Sequence, residues 1–227
     1  METTTFSVME LFNLGGIIMW PLLAFSVIVV AITIERAIFI SYQNLKMDDI
    51  SDIVTDLVKN DDYPGAVEYL SELTKQRMGA RIIFTLLKYI KPINASTQKK
   101  NADNSLNLQR AEKAAETEAA NCVNSLENGF NFLTALGSLA PLTGFLGTVT
   151  GMIGAFRSIA EATEVNAQIV ANGIYEALIT TVFGLIIAII AMISHSIFSH
   201  IVDKFTSKVE GLCSDLITYM GDPQVNV

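Results

Sequence analysis

The chain has 227 residues, of which 51% are hydrophobic and only 17% charged. A soluble domain carries about a quarter charged residues. The formal charge of −8 and the low pI argue against nucleic acid as a partner.

The charge deficit is local. Three stretches carry nearly all of it: Leu11 to Ile34, Asn128 to Phe156, and Val165 to Val202, the last broken only by Glu176. A bilayer core about 30 Å thick needs roughly 20 apolar helical residues, and each stretch is long enough. The expected class is therefore an all-α integral membrane protein with three transmembrane helices and long helices extending into a cytoplasmic helical domain.

In chain order, residues 1–10 are an N-terminal tail. Residues 11–35 are the first span, with Trp20 and Pro21 near its entry, where Trp suits a membrane interface. A cleaved signal peptide is a poor fit. The segment before the apolar run has Glu2 and Glu10 and no Lys or Arg, and the run ends in Thr33-Ile34-Glu35-Arg36 rather than a small-residue cleavage site.

Residues 36–127 form a helical block. Ile50, Ile53, Val54, Leu57 and Val58 recur at helical spacing. Asp61-Asp62-Tyr63-Pro64-Gly65 is a turn leading into a helix, with Pro64 suited to its first turn. Ala66, Val67, Leu70 and Leu73 share one face of that helix. Residues 79–91 are a further apolar stretch, and Pro92 through Asn104 read as a loop. Leu106 to Leu126 is rich in Ala and Glu, with high helix propensity. Beyond Leu126 the only breakers are Gly129 and Gly137, so one long helix is expected to run from this block into the second span, 128–156. A loop at 157–165, a third span with its extension at 166–199, and a tail at 200–227 complete the chain.

Fourteen of the fifteen Lys and Arg residues lie in the middle block or the C-terminal tail, and Arg157 alone lies in the short loop. The positive-inside rule then places the block and the C-terminus in the cytoplasm, and the N-terminus and the 157–165 loop on the periplasmic side. Cys122 and Cys213 both fall on the cytoplasmic side, which argues against a disulfide. There is no metal-ligand spacing, His195 and His200 stand alone, and no cofactor or enzymatic activity is expected.

The second span contains Gly137, Ala140, Gly144, Gly147 and Gly151 within one arc of roughly 80°. Such small residues let another backbone approach closely. Thr148 lies beside this arc, with Pro141 near it. In the third span, with Glu176 set at zero, Gly173, Ala177, Thr180, Gly184, Ala188, Ala191 and His195 fall between about 40° and 120°, and Thr181 near 140°. Leu178, Val182, Leu185, Ile186, Ile189 and Ile193 fall between roughly 180° and 280°. The aliphatic face suits lipid. The small face suits a protein interface or a water-filled lumen, and Glu176 lies at its edge. A carboxylate at the bilayer centre costs roughly 3 kcal/mol and usually serves ions, protons or a buried partner. Glu176 comes soon after Val165, so a cheaper position near the outer interface is the alternative.

Pro141-Leu142-Thr143-Gly144-Phe145-Leu146-Gly147-Thr148-Val149, followed by Gly151-Met152-Ile153, resembles a signature of the MotA/TolQ/ExbB proton-channel family. Glu176-Ala177-Leu178-Ile179-Thr180-Thr181 with Gly184-Leu185 resembles that family's second motif, in the pattern of the ExbB and TolQ branch. The chain departs from the pattern at Thr143, Ile190 and His195-Ser196.

The resemblance implies a homo-oligomeric ring, typically a pentamer, in the bacterial inner membrane. An ExbD/TolR-like single-span partner would sit in the ring lumen and carry the principal proton-binding Asp, and a TonB-like or TolA-like protein would receive the work. It also implies a proton pathway lined by Thr148, Glu176 and Thr181, with Thr180 beside them. Pro141, Gly144, Gly147, Gly151, Gly173 and Gly184 would serve helix packing. The other reading is a structural membrane scaffold that holds partner helices, with Glu176 paired to a partner's Lys or Arg and no proton conducted.

Overall fold

The computed structural model describes residues 12, 14–90, 101–161 and 167–221. The helices are α1 (Met19–Tyr42), α2 (Asp48–Lys59), α3 (Tyr63–Leu73), α4 (Met78–Tyr89), α5 (Asn101–Leu126), α6 (Phe130–Glu161) and α7 (Ala167–Gly221). Among the described residues there is no strand. α1, α6 and the 171–220 portion of α7 are long and apolar enough to cross a membrane.

The chain divides into two units. The first comprises residues 1–35 and 129–197, and so holds most of α1, all of α6 and the first part of α7. Its outward faces are apolar. Trp20, Val27, Ile34, Leu142, Phe145 and Ile153 are all exposed, a distribution that suits lipid or another membrane helix rather than water.

The second unit comprises residues 36–128 and 198–227. Here α2 packs on α3, α3 on α4 and α4 on α5. Ile50, Val54 and Val58 of α2, Ala66 and Leu70 of α3, and Ile82, Ile83 and Leu86 of α4 are buried. Asp62 caps α3 by accepting from the Gly65 amide at 3.0 Å, satisfying one of the donors that a helix start leaves free. Arg36 is buried and donates to the Ser125 carbonyl at 3.1 Å, one of the last-turn acceptors of α5 that the helix itself cannot satisfy.

Five sequence expectations change. Helix α5 does not run into α6: it ends at Leu126, and Gly129 takes φ +88, a left-handed conformation that a Cβ disfavours. Gly16 at φ +67 likewise separates α1 from the residues before it, and α1 continues past residue 35 to Tyr42. Residues 157–161 are the last turn of α6, with Arg157 paired to Glu161 at 2.9 Å, and residues 101–104 begin α5 rather than end a loop. The last helix does not stop at residue 199: residues 200–221, expected as a tail, continue α7. Phe198, Val202, Phe205, Val209, Leu212 and Leu216 alternate at spacings of four and three and are all buried, the stripe of an amphipathic helix. The 1–10 tail, the rest of the two expected loops and residues 222–227 lie outside the described residues.

Two of the second unit's ion pairs hold the start of α2. Arg77 forks onto Asp49, with Nη1 to Oδ2 at 2.6 Å and Nη2 to Oδ1 at 3.0 Å. Lys208 on α7 pairs with Asp48. The hydrogen bond from Arg77 holds the Asp49 carboxyl below its ordinary range, and Lys208 does the same for Asp48. Both carboxyls have folded pKa values below their unfolded ones. Their contribution is therefore complete above the unfolded value of about 3.9 and is lost as pH falls through the lower folded values. The unfolding midpoint of the solubilised protein should fall on acidification below about pH 4, and Asp49→Asn should flatten that fall. An unchanged acid limb in Asp49→Asn would remove this pair from the explanation.

Candidate functional site

The site is the seam where α6 and α7 run antiparallel. Several glycines on one helix meet a small residue or backbone on the other. A Cβ on Gly137 would lie 3.2 Å from Met192 Cγ and 3.7 Å from Ala191 Cβ. One on Gly184 would lie 2.6 Å from the Ala140 carbonyl oxygen and 3.2 Å from Gly144 Cα. One on Gly144 would lie 2.8 Å from the Thr180 carbonyl oxygen and 3.1 Å from Thr181 Cα. Gly151 backs onto Ala177 at 3.2 Å, and Gly173 onto Ala155 Cα at 3.2 Å. The two faces of α7 divide sharply. Ala177, Thr180, Gly184, Ala188 and Ala191 are buried, while Leu178, Val182, Leu185, Ile186, Ile189 and Ile193 are exposed. At its far end the seam closes with His195 edge-on to Phe130, the ring centroids 5.7 Å apart.

Close approach brings three hydroxyls to one carbonyl. The Gly144 oxygen accepts from Thr148 at 3.2 Å, Thr180 at 3.2 Å and Thr181 at 3.3 Å. Thr180 is fully buried and also donates to the Ala177 carbonyl at 2.8 Å. Its hydroxyl is thus enclosed within the hairpin, and in this chain Thr180 sits among the packing glycines. Thr148 and Thr181 are half-buried and hydrogen-bond directly to each other across the seam. Each has a second acceptor in reach: Gly144 for both, and Ala177 at 3.4 Å for Thr148. Either hydroxyl can therefore donate to the other, and the pair has two orientations of similar bonding. Pro141 is half-buried inside α6, where it has no N–H to give the Gly137 carbonyl.

Glu176 stands apart from the hydroxyl pair. On α7 it lies about 140° from Thr181, with the residues that meet α6 between them. Among the described residues no hydrogen bond joins Glu176 to Thr148 or Thr181. Its half-buried carboxylate lies instead against the backbone of Gly16, in the turn before α1. Sequence reasoning did not pair Glu176 with Gly16. The contact joins two parts of the chain 160 positions apart, and helical periodicity reports nothing about such a pairing. The one sequence signal for it was the Gly15-Gly16 dipeptide at the mouth of an apolar run.

A family model described as the MotA/TolQ/ExbB proton channel family matches residues 88–211. The chain is 34% identical over 186 residues to a biopolymer transport protein ExbB-like 3 of Synechocystis sp., covering 81% of each. It is 29% identical over 125 residues to the biopolymer transport protein ExbB of Pseudomonas putida, covering 55% of this chain and 37% of that one. It is 42% identical over 74 residues to the Tol-Pal system protein TolQ of Haemophilus influenzae, covering 33% of this chain and 32% of the other. The model match takes in both helices of the seam, and the cyanobacterial match takes in most of the chain: this chain belongs to the MotA/TolQ/ExbB proton channel family.

Proposed function

We propose that this chain is the ring-forming subunit of a proton-channel motor in the bacterial inner membrane. Its N-terminus lies in the periplasm and its C-terminus in the cytoplasm. Several copies, five on the family pattern, enclose an ExbD/TolR-like single-span partner. The motor couples the proton motive force to work on a TonB-like or TolA-like protein that spans the periplasm.

The observation that carries this reading is the pair of reorientable hydroxyls, Thr148 and Thr181, set with the Glu176 carboxylate in a mostly apolar pair of helices. A hydroxyl that can donate in either direction can order water or pass a proton, as pore-lining hydroxyls do. A carboxylate can take up and release one. Glu176 and the hydroxyl pair occupy opposite edges of the α6–α7 seam, so transfer between them needs an intermediary. Water or a partner's carboxyl group would serve. The rest of the seam is the rigid frame that holds both.

The scaffold reading has its own support, because every threonine hydroxyl described above is already satisfied by a carbonyl of the hairpin. Two variants separate the readings, expressed in host cells lacking their own copy. If the channel reading is correct, Glu176→Gln and Thr181→Val leave the complex assembled by size-exclusion chromatography. Both reduce proton-motive-force-dependent work by about 100-fold or more, the usual scale for loss of a positioned proton-transfer group. Under the scaffold reading, Glu176→Gln breaks assembly, because it leaves a partner's buried charge unpaired. A fully active Glu176→Gln would sink both.

A further inference from the structure

We propose that the Gly15–Gly16 turn is a backbone cradle for the Glu176 carboxylate, and that Gly16 is a positioning residue that sets where this carboxylate points. The inference rests on the proton-channel reading of Glu176.

Two independent features make Gly16 the residue required. Its φ of +67 lies in the left-handed region, where a Cβ is disfavoured. The space a Cβ would fill is also taken. It would collide with Glu176 Oε1, lie 3.1 Å from Glu176 Cδ, and lie 3.8 Å from Cγ. Gly15 makes the matching contact one turn along α7. A Cβ there would meet the Met19 side chain, with Ile179 Cγ2 at 3.4 Å. Two consecutive glycines thus register the turn on residues 176 and 179 of α7.

The turn has no slack to retreat. Gly15 donates to the Phe12 carbonyl at 3.3 Å, and the Gly16 carbonyl accepts from Met19 at 3.2 Å. Phe12 packs edge-on against Trp20 with ring centroids 5.5 Å apart. Met19 and Leu22, just behind the turn, are each 1% exposed. The carboxylate is therefore covered by backbone on the α1 side, and its proton must come and go on its uncovered side. Adding any side chain at position 16 has to move the carboxylate, because the turn is held in place.

The test uses the carboxylate's length. Asp is one methylene shorter than Glu, so its carboxylate ends short of the space a Cβ at position 16 would occupy. In the full complex, Gly16→Ala should reduce proton-motive-force-dependent work by about tenfold when residue 176 is Glu, since misplacing a reacting group by 1 Å can cost about 100-fold. In a Glu176→Asp background the same substitution should cost less than about twofold, a non-additivity expected only of groups in contact. Gly16→Asn should be as impaired as Gly16→Ala, because Asn tolerates the left-handed backbone but still carries a Cβ.

Equal losses from Gly16→Ala in both backgrounds would overturn the proposal, as would recovery with Asn, which would assign the defect to backbone strain. If Gly16→Ala prevents assembly in the parent but not in the Glu176→Asp background, the collision is supported; failure in both overturns it. A Gly16→Ala protein as active as the parent, beside an inactive Glu176→Gln, defeats this inference alone. An active Glu176→Gln defeats the reading beneath it.

Discussion

Gly184→Val should leave little correctly folded protein to extract in mild detergent. A Cβ at position 184 would sit 2.6 Å from the Ala140 carbonyl oxygen and 3.2 Å from Gly144 Cα. Both obstacles are backbone, so no rotamer change relieves them. The helices must separate. Overpacking a tight interior costs about 1–3 kcal/mol, occasionally more, and here separation also breaks the hydroxyl contacts that Thr180 and Thr181 make with Gly144. Membrane helices draw their association from such close packing, since lipid provides no hydrophobic drive between them. We expect a loss of about 3 kcal/mol or more in Gly184→Val, read as a lower thermal midpoint and a smaller folded fraction. Gly154→Ala is the internal comparison. A Cβ there meets nothing within 4 Å, so it should be neutral or gain about 0.5 kcal/mol from better helix propensity. Similar behaviour of the two variants would mean that the α6–α7 seam is not what holds the first unit together.

The second large effect belongs to Arg77. Its guanidinium is mostly buried and makes three charge-assisted contacts: two to Asp49 and one to the Lys46 carbonyl at 2.6 Å. These tie the start of α2 to the turn before α4. Hydrogen bonds to charged groups contribute about 1.5–3 kcal/mol each when protected from water. Asp49 is 56% exposed on its side chain, so solvent screening weakens the pair. Arg77→Ala should therefore cost about 2–3 kcal/mol of the second unit's stability, measured by denaturant unfolding of the solubilised protein. Arg77→Lys should recover little of it, because an ammonium cannot reproduce the planar fork. Asp49→Asn should cost less than Arg77→Ala, since its side chain can turn to water. Full recovery by Lys would show that charge alone, not geometry, makes the contact.

The packing face of the seam was legible in the sequence. Residues 177, 180, 184, 188 and 191 share a face because the helical period puts them there, and that face is small in this chain. The aliphatic face opposite follows from the same arithmetic. The breaks in the helices were less legible. Gly129 and Gly16 were visible as glycines, but a glycine inside an apolar run is as compatible with helix packing as with a turn. Only the dihedral angles, +88 and +67, distinguish these two from Gly144 or Gly184, which stay helical.

What the sequence determined by itself is everything that depends on local spacing and composition. Three runs nearly free of charge are long enough to span a bilayer, one carboxylate interrupts the last, and the small and bulky faces of α7 divide as the helical period requires. What only the tertiary structure decided is which groups meet. Thr148 pairs with Thr181 because the antiparallel register of α6 on α7 brings those two turns level. Thr180, one position away, is turned into the seam and enclosed. Glu176 lies against Gly16, and not beside the hydroxyls, because α7 presents it about 140° away from Thr181, on the edge covered by the turn before α1. Periodicity assigns a residue to a face, but the partner on that face is chosen by register between helices, which no single helix encodes.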